Sequence, residues 1–171
     1  MLRALAKNGG VVMVTFIPEF ISAERAAWGK GMESLAQGAK TTDELSRIEA
    51  EYVKAHGAPP ATTLAQVADH IEHVAKVAGH DHVGIGSDYW GGPTPEGLED
   101  VSRFPYLFAE LVRRGWKDKD LEGLAGGNIV RALAGAEAVA SRLQKARPPS
   151  TATIEALDGK GVTGEPDPAR Q

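Results

Sequence analysis

Hydrophobic positions along the chain follow two periods, one typical of helices and one typical of buried strands. The clearest helical stretch begins after Thr63, which forms a capping box with Gln66, and ends at Gly79. Its apolar residues recur on one face, as in an amphipathic helix packed on a core. They are Leu64, Val67, Ile71, Val74 and the pair Val77 and Ala78.

Two continuous apolar runs predict buried strands. One spans residues 11–16 and is stopped by Pro18, and the other spans residues 82–88 and ends in Asp88. The amphipathic helix leads into the second run, and a Gly/Pro-rich loop follows it. Helix, short loop, buried strand and loop form the repeat of a parallel α/β architecture.

The remaining patterns predict more helices and a tail. Residues 2–8 are typical of the last turns of a helix, with Asn8-Gly9 as its cap, whereas Gly29, Gly31 and Gly38 indicate a broken helix or loop after residue 22. Residues 1–146 form one predicted domain, and residues 147–171 are predicted to be a disordered tail. Further helices are predicted from Thr41 to about Lys54, from Ser102 to Gly115 with an apolar face of Leu107, Phe108, Leu111 and Val112, from Asp118 to Leu124, and from Ile129 to about Ala146.

The number of strands is too small for an independent fold. A sheet of only two parallel strands exposes unpaired edges and hydrophobic faces, and it is not stable by itself. We therefore expect these strands to be part of a larger fold.

Composition narrows the possible functions. The net charge of −4 argues against nucleic-acid binding, and no apolar run is long enough to span a membrane. The first residues do not form a signal peptide, and the compartment stays open. Cysteine is absent, so a metal would have to be held by His, Asp, Glu or water.

Asp88 is the main candidate for chemistry, because α/β proteins place functional groups where parallel strands end. His80 and His82 resemble a metal-binding pair, but they lie at the opposite end of the predicted strand, where a solvated turn is the better interpretation. His70 and His73 lie on the polar side of the amphipathic helix, which favours a solvated face.

An acidic cluster follows Asp88 in the loop and consists of Glu96, Glu99 and Asp100. Its ordinary role is to place negative charge at the start of the next helix, where the helix dipole favours it. A role in closing a substrate site is the alternative.

Several motifs in register resemble the C-terminal part of the membrane (renal) dipeptidase family of zinc metallopeptidases. The resemblance covers about residues 1–146, and the strand at 11–16 fits the family strand that precedes the second run. The motifs are DHIEHV at 69–74, HVGIGSD at 82–88, PEGLEDV at 95–101, FP at 104–105, ELVRRGW at 110–116 and GGNIVR at 126–131.

The resemblance implies the C-terminal part of a (β/α)8 TIM-type barrel that hydrolyses dipeptides with two zinc ions. Asp88 matches the family acid that orients the metal-bound water and carries its proton to the leaving amine. The family's zinc ligands lie upstream of the matched region, so no metal ligand is assigned in this chain. Trp90 stands where family members commonly have an acid, which puts the substrate preference in doubt.

Position after the strand ends suggests four substrate-binding residues: Phe16, Phe20, Tyr89 and Trp90. We expect the chain alone to be inactive. Two other classes stay open, namely a half-barrel completed by a partner chain or by its own copy as a homo-oligomer, and a non-catalytic binding module derived from a dipeptidase.

Overall fold

Two parallel strands form the sheet of this chain in a computed structural model, which describes residues 1–89 and 92–157. Strand β1 is Val12–Thr15 and strand β2 is Val83–Ser87. Val12 pairs with Val83 and the register then shifts by one residue, so that Thr15 pairs with Ser87. The sequence-based predictions of both strands are therefore confirmed, with slightly shorter bounds.

Small residues in β2 allow the two strands to lie together. A Cβ added to Gly84 would lie 2.6 Å from Met13 Sδ, and one added to Gly86 would lie 3.1 Å from Met13 Cβ. The Met13 side chain therefore occupies the space that larger residues in β2 would fill. Met13 is also 38% exposed, so its side of β1 is only partly covered within the described residues.

The described residues form the helices predicted from the hydrophobic pattern and three others, at residues 18–21, 23–36 and 154–157. The helices are α1 (Leu2–Asn8), α2 (Pro18–Ile21), α3 (Ala23–Ala36), α4 (Thr42–His56), α5 (Leu64–Ala78), α6 (Phe104–Arg113), α7 (Asp118–Glu122), α8 (Asn128–Ala146) and α9 (Ile154–Leu157). None of the helices in the described part of the chain is long and apolar enough to cross a membrane.

Helix α5 supplies much of the core. Its capping box is formed, since the Thr63 hydroxyl accepts from the Gln66 amide and the Gln66 side chain accepts from the Thr63 amide. The apolar face of α5 joins one buried cluster with residues from the strands and from α6. Fully buried members of that cluster include Val67, Ile71, Val83, Leu107 and Leu111.

An arginine at the end of α6 connects α6 to α5. The Arg114 guanidinium lies 2.6 Å from the Asp69 carboxylate and 2.7 Å from both the Glu72 and the Glu110 carboxylates. Burial lowers the pKa of Arg114, but these hydrogen bonds outweigh it and hold the pKa above its ordinary value.

Two side chains fix the amino ends of the strands. The buried Asn128 amide donates to the carbonyl oxygens of His80 and Val83, at 2.7 and 2.8 Å. Arg131 donates to the carbonyl oxygens of Gly9 and Asp81. The motif at 126–131 therefore holds the turn before β2 in place.

Helix α3 overturns the prediction of a broken helix or loop after residue 22. It runs continuously through Gly29 and Gly31, because tertiary contacts favour the helix more than glycine weakens it. A Cβ on Gly31 would collide with the Tyr52 hydroxyl, so glycine permits the close approach of α4. The Trp28 indole also donates to the Gly57 carbonyl oxygen.

The predicted apolar face of α6 is only partly buried, since Val112 is 52% exposed. The chain divides into two units, Met1–Leu133 and Ala134–Gln171. In the second unit, every described side chain from Ala134 to Leu157 is exposed, including Val139 and Leu143. The predicted disordered tail at 147–171 stays a prediction; its described part contains α9, and residues 158–171 lie outside the described residues.

Candidate functional site

Asp88 directly follows β2, at the edge of the sheet where both parallel strands end. Its side chain is exposed, and its backbone has a φ of 64°. Ser87, the last residue of β2, has a φ of 39°. Two consecutive residues other than glycine in the left-handed region are uncommon, and such conformations cluster at functional sites.

The register shift between the strands lies immediately beside this turn. The pairing of β1 with β2 shifts by one residue after Val14. The Phe16 amide then donates to the Ser87 carbonyl oxygen at 2.7 Å. Irregularities of this kind redirect side chains at strand ends. The register shift and the left-handed turn therefore both lie beside Asp88, where the ladder of β2 ends.

Three aromatic rings pack together next to Asp88. The Tyr89 ring meets the Phe16 ring edge to face at 5.6 Å and stacks on the Phe104 ring at 6.0 Å. The Phe16 and Phe104 rings meet each other edge to face at 6.0 Å. This aromatic triad joins the ends of β1, β2 and the start of α6.

The Tyr89 hydroxyl connects the triad to the loop that precedes α6. It donates to the Asp100 carbonyl oxygen at 2.9 Å. Partial burial raises the pKa of Tyr89, and the Asp100 and Glu99 carboxylates raise it further. The hydroxyl therefore stays protonated and able to donate at neutral pH.

The acidic cluster after Asp88 satisfies backbone groups of its own loop. Glu99 accepts from the Gly97 amide, and Asp100 accepts from the Ser102 amide at the start of a 3-10 turn. The bond from the Gly97 amide holds the pKa of Glu99 below its ordinary value, and hydrogen bonds from the Ser102 side chain and then its amide lower the pKa of Asp100. The local role predicted from the sequence, negative charge at the start of the next helix, agrees with this placement.

The loop is also attached to the amino end of α5, which the sequence did not indicate. The Glu96 amide donates to the Thr62 carbonyl oxygen, and the Leu64 amide donates to the Glu96 carbonyl oxygen. Gly97 has a φ of 85°, which favours glycine at that turn. A parallel bridge of this type cannot be recognised from local sequence, because its partners lie more than 30 residues apart.

The four predicted substrate-binding residues differ in exposure. Phe16 is 2% exposed, whereas Phe20 on α2 is 66% exposed. Tyr89 is half-buried in the aromatic triad. Trp90 lies outside the described residues. Their role in substrate binding stays a prediction.

The described residues of this chain do not fit a metal centre. Among residues 1–89 and 92–157, no three His, Asp or Glu side chains come together as metal ligands would. His82 Nδ1 lies 2.7 Å from the Gly10 carbonyl oxygen, and the His80 ring packs on the Trp116 ring at 4.6 Å. These two imidazoles therefore make structural contacts near the amino end of β2, at the end opposite Asp88.

Comparison with known proteins identifies the family. The family model described as membrane dipeptidase (Peptidase family M19) matches residues 1–147. The chain belongs to the membrane dipeptidase family. Asp88 and the aromatic triad lie within the matched region.

Two curated dipeptidases match the same region. The chain is 35% identical to dipeptidase aclJ of Aspergillus oryzae over 149 residues, and 34% identical to dipeptidase verJ of Clonostachys rogersoniana over 146 residues. These alignments cover 86% and 85% of this chain, but only 28% of each relative. The chain thus spans just over a quarter of the length of these dipeptidases.

Solved structures of dipeptidases have a similar fold in this region. The probable dipeptidase PvdM from Pseudomonas aeruginosa is 25% identical with a TM-score of 0.60, and the match covers 77% of this chain and 38% of PvdM. A metallopeptidase from Rhodobacter sphaeroides, liganded with a phosphinate mimic of L-Ala-D-Ala, gives a TM-score of 0.50 at 23% identity, over 74% of this chain and 27% of its own. The latter supports the fold alone.

Proposed function

We propose that this chain is the C-terminal part of a (β/α)8 barrel that hydrolyses dipeptides, and that it contributes Asp88 to the active site. The observation that carries the proposal is the position of Asp88, exposed at the carboxyl end of β2 within a segment matched to the membrane dipeptidase family. Barrels of this type have their active sites at that end of the strands.

In this proposal Asp88 is the general base and then the general acid of the reaction. Its carboxylate accepts a proton from the attacking water as the new carbon–oxygen bond forms. It then donates that proton to the amide nitrogen as the carbon–nitrogen bond breaks, which releases two amino acids. An exposed acid with a fixed backbone direction suits both transfers.

Zinc is the metal we propose for the intact enzyme, where it would polarise the scissile carbonyl and activate water. The described residues of this chain do not supply a ligand set, so the ligands would come from a part of the barrel outside it. Of the predicted substrate contacts that the structure describes, Phe20 is the best placed, because its ring is largely exposed on α2. Phe16 would act by supporting Tyr89.

A chimera tests the role of Asp88. Residues 1–147 replace the matching segment of dipeptidase aclJ, and dipeptide hydrolysis and metal content are measured. We expect Asp88→Asn to lower kcat/KM at least a hundredfold with unchanged metal content, since a proton-transferring group contributes about that factor. Asp81→Asn, at the opposite end of β2, is the control and should stay within about twofold. Full activity of the Asp88→Asn chimera, or a folded and metal-loaded chimera without hydrolysis, would contradict the proposal.

The open sheet favours a second candidate, a half-barrel that is completed by another chain. Within the described residues, β1 and β2 have no strand partners other than each other, and Met13 is 38% exposed. Two strands alone do not make a stable sheet. Light scattering on the purified chain tests completion by its own copy: a defined dimer supports it, and a monomer contradicts it.

A further inference from the structure

The backbone at Asp88 needs a support that local sequence does not supply. Ser87 and Asp88 both have positive φ values, and neither is glycine. The extended conformation would be preferred by each residue in isolation. Tertiary contacts must therefore hold the turn.

Tyr89 makes those contacts. Its ring lies against Phe16 and Phe104, and its hydroxyl donates to the Asp100 carbonyl oxygen. Asp100 is itself fixed, since its carboxylate accepts from the Ser102 amide. The residue after Asp88 is thus held on two sides, by apolar packing and by a hydrogen bond.

Phe16 connects the aromatic triad to Ser87, the residue before Asp88. Its ring belongs to the aromatic triad, and its amide donates to the Ser87 carbonyl oxygen. The residues on both sides of Asp88 are therefore attached to one packed unit, while the Asp88 side chain remains exposed.

We propose that Tyr89 is a positioning residue, which fixes the direction of the Asp88 carboxylate through the aromatic triad and its hydrogen bond to Asp100. This inference rests on the proposed function of Asp88. It assigns the Tyr89 ring and hydroxyl to the support of the turn, in contrast to a direct contact with the substrate.

The conformation of the turn can be measured by NMR on the 171-residue chain. A positive φ produces a strong contact between the amide and Hα protons of the same residue, which reports on Ser87 and Asp88. We expect Tyr89→Leu to abolish this signal at both residues. Tyr106→Phe, which changes an exposed tyrosine on α6, is the control and should leave it unchanged.

Tyr89→Phe keeps the ring and isolates the hydroxyl, so it covers the case in which the leucine variant unfolds. We expect amide exchange at Phe16 to become about fivefold to tenfold faster, because one hydrogen bond shifts a local equilibrium by about that factor. The Gly79 amide, bonded to the Ala75 carbonyl oxygen, is the internal control. Unchanged exchange at Phe16 would overturn the proposal, and so would unchanged φ signals in a folded leucine variant.

Kinetics in the chimera separates positioning from substrate contact. Tyr89→Phe should lower kcat about fivefold to tenfold and leave KM within about twofold. A raised KM with unchanged kcat would instead show a substrate contact and overturn the assignment. If the NMR results hold but Asp88→Asn stays fully active, the proposed function fails while the support of the turn by Tyr89 stands.

Discussion

The Phe16 amide donates a 2.7 Å hydrogen bond to the Ser87 carbonyl oxygen, and this bond joins the carboxyl ends of the two strands. It forms just after the register of the sheet shifts, where Thr15 pairs with Ser87. The same bond therefore ends the ladder and fixes the turn that carries Asp88. Substitutions at Ser87 test how much the left-handed conformation of this turn lowers the free energy of unfolding.

Ser87→Gly should stabilise the chain, because glycine adopts the left-handed conformation without a steric penalty. The expected gain in the free energy of unfolding is about 0.5–1 kcal/mol. Ser87→Val should lower it by about 1–3 kcal/mol, since a β-branched residue is strained at a φ of 39°. Urea denaturation measures both changes.

Thr15→Val is the matched control for the Ser87 variants. Thr15 pairs with Ser87 in the sheet but has the extended backbone of a strand. A β-branched side chain is already present there, so the change should be small, within about 0.5 kcal/mol. Equal effects of valine at both positions would contradict strain at Ser87.

Asn128→Ala should destabilise the chain by about 2 kcal/mol, because the buried Val83 carbonyl oxygen and the part-buried His80 carbonyl oxygen lose their donor. Asn128 itself is only 5% exposed. Asn8→Ala is the control, since Asn8 is exposed at the end of α1. Urea denaturation again gives the comparison.

Asn128→Asp sharpens this prediction, since it keeps the shape of the side chain but replaces the donor by an acceptor. A carboxylate facing two carbonyl oxygens should destabilise the chain at least as much as alanine. A variant as stable as the original chain would show that the two hydrogen bonds contribute little.

Regular elements and capping residues could be predicted from the sequence. The capping boxes at Thr41 and Thr63 are both formed, and Gly9 ends α1 in the left-handed conformation. These signals are local, because a cap satisfies backbone groups within one turn of the same helix. The bounds of the helices that these residues cap follow within a few residues, and the strand positions follow from the two apolar runs.

Features that depend on contacts between distant residues could not be predicted. Gly31 indicated a break in the helix, but its role depends on Tyr52 in α4. The packing of the Tyr89 ring depends on Phe16 and Phe104, which are distant in sequence. At the candidate site, the position of Asp88 could be predicted from the strand pattern, whereas its left-handed turn could not.

The isolated chain should not bind zinc stoichiometrically. After incubation with excess zinc and dialysis, elemental analysis should find less than one zinc per chain, and dipeptides should not be hydrolysed. The reason is that His80, His82 and Asp88 lie at opposite ends of β2, so they do not converge on one ion. His82→Ala should leave the residual zinc content unchanged.

Two zinc ions per chain with hydrolysis of a dipeptide would contradict that expectation. They would show that the chain assembles a metal site from its own residues, by itself or with a second copy. One zinc that is lost in His82→Ala would instead place a site at the amino end of β2, away from Asp88.

The ion pairs of Arg114 should make stability depend on pH in the acid range. A hydrogen bond from Arg114 holds the pKa of Glu110 below its usual value of 4.5. The unfolded chain therefore binds a proton at Glu110 more readily than the folded chain does. This contribution to stability is present above the usual pKa, and it is lost as the pH falls through the lowered pKa of the folded chain.

Glu110→Gln should remove part of that acid dependence. Below pH 4.5, its unfolding midpoint in urea should fall less steeply with pH than that of the original chain, while at pH 7 its stability should be lower because Arg114 loses a charged partner. Glu49→Gln, on an exposed position of α4, is the control and should keep the original slope. An identical slope in Glu110→Gln and Glu49→Gln would show that Asp69 and Glu72 alone compensate Arg114, and that Glu110 contributes no folding energy through its charge.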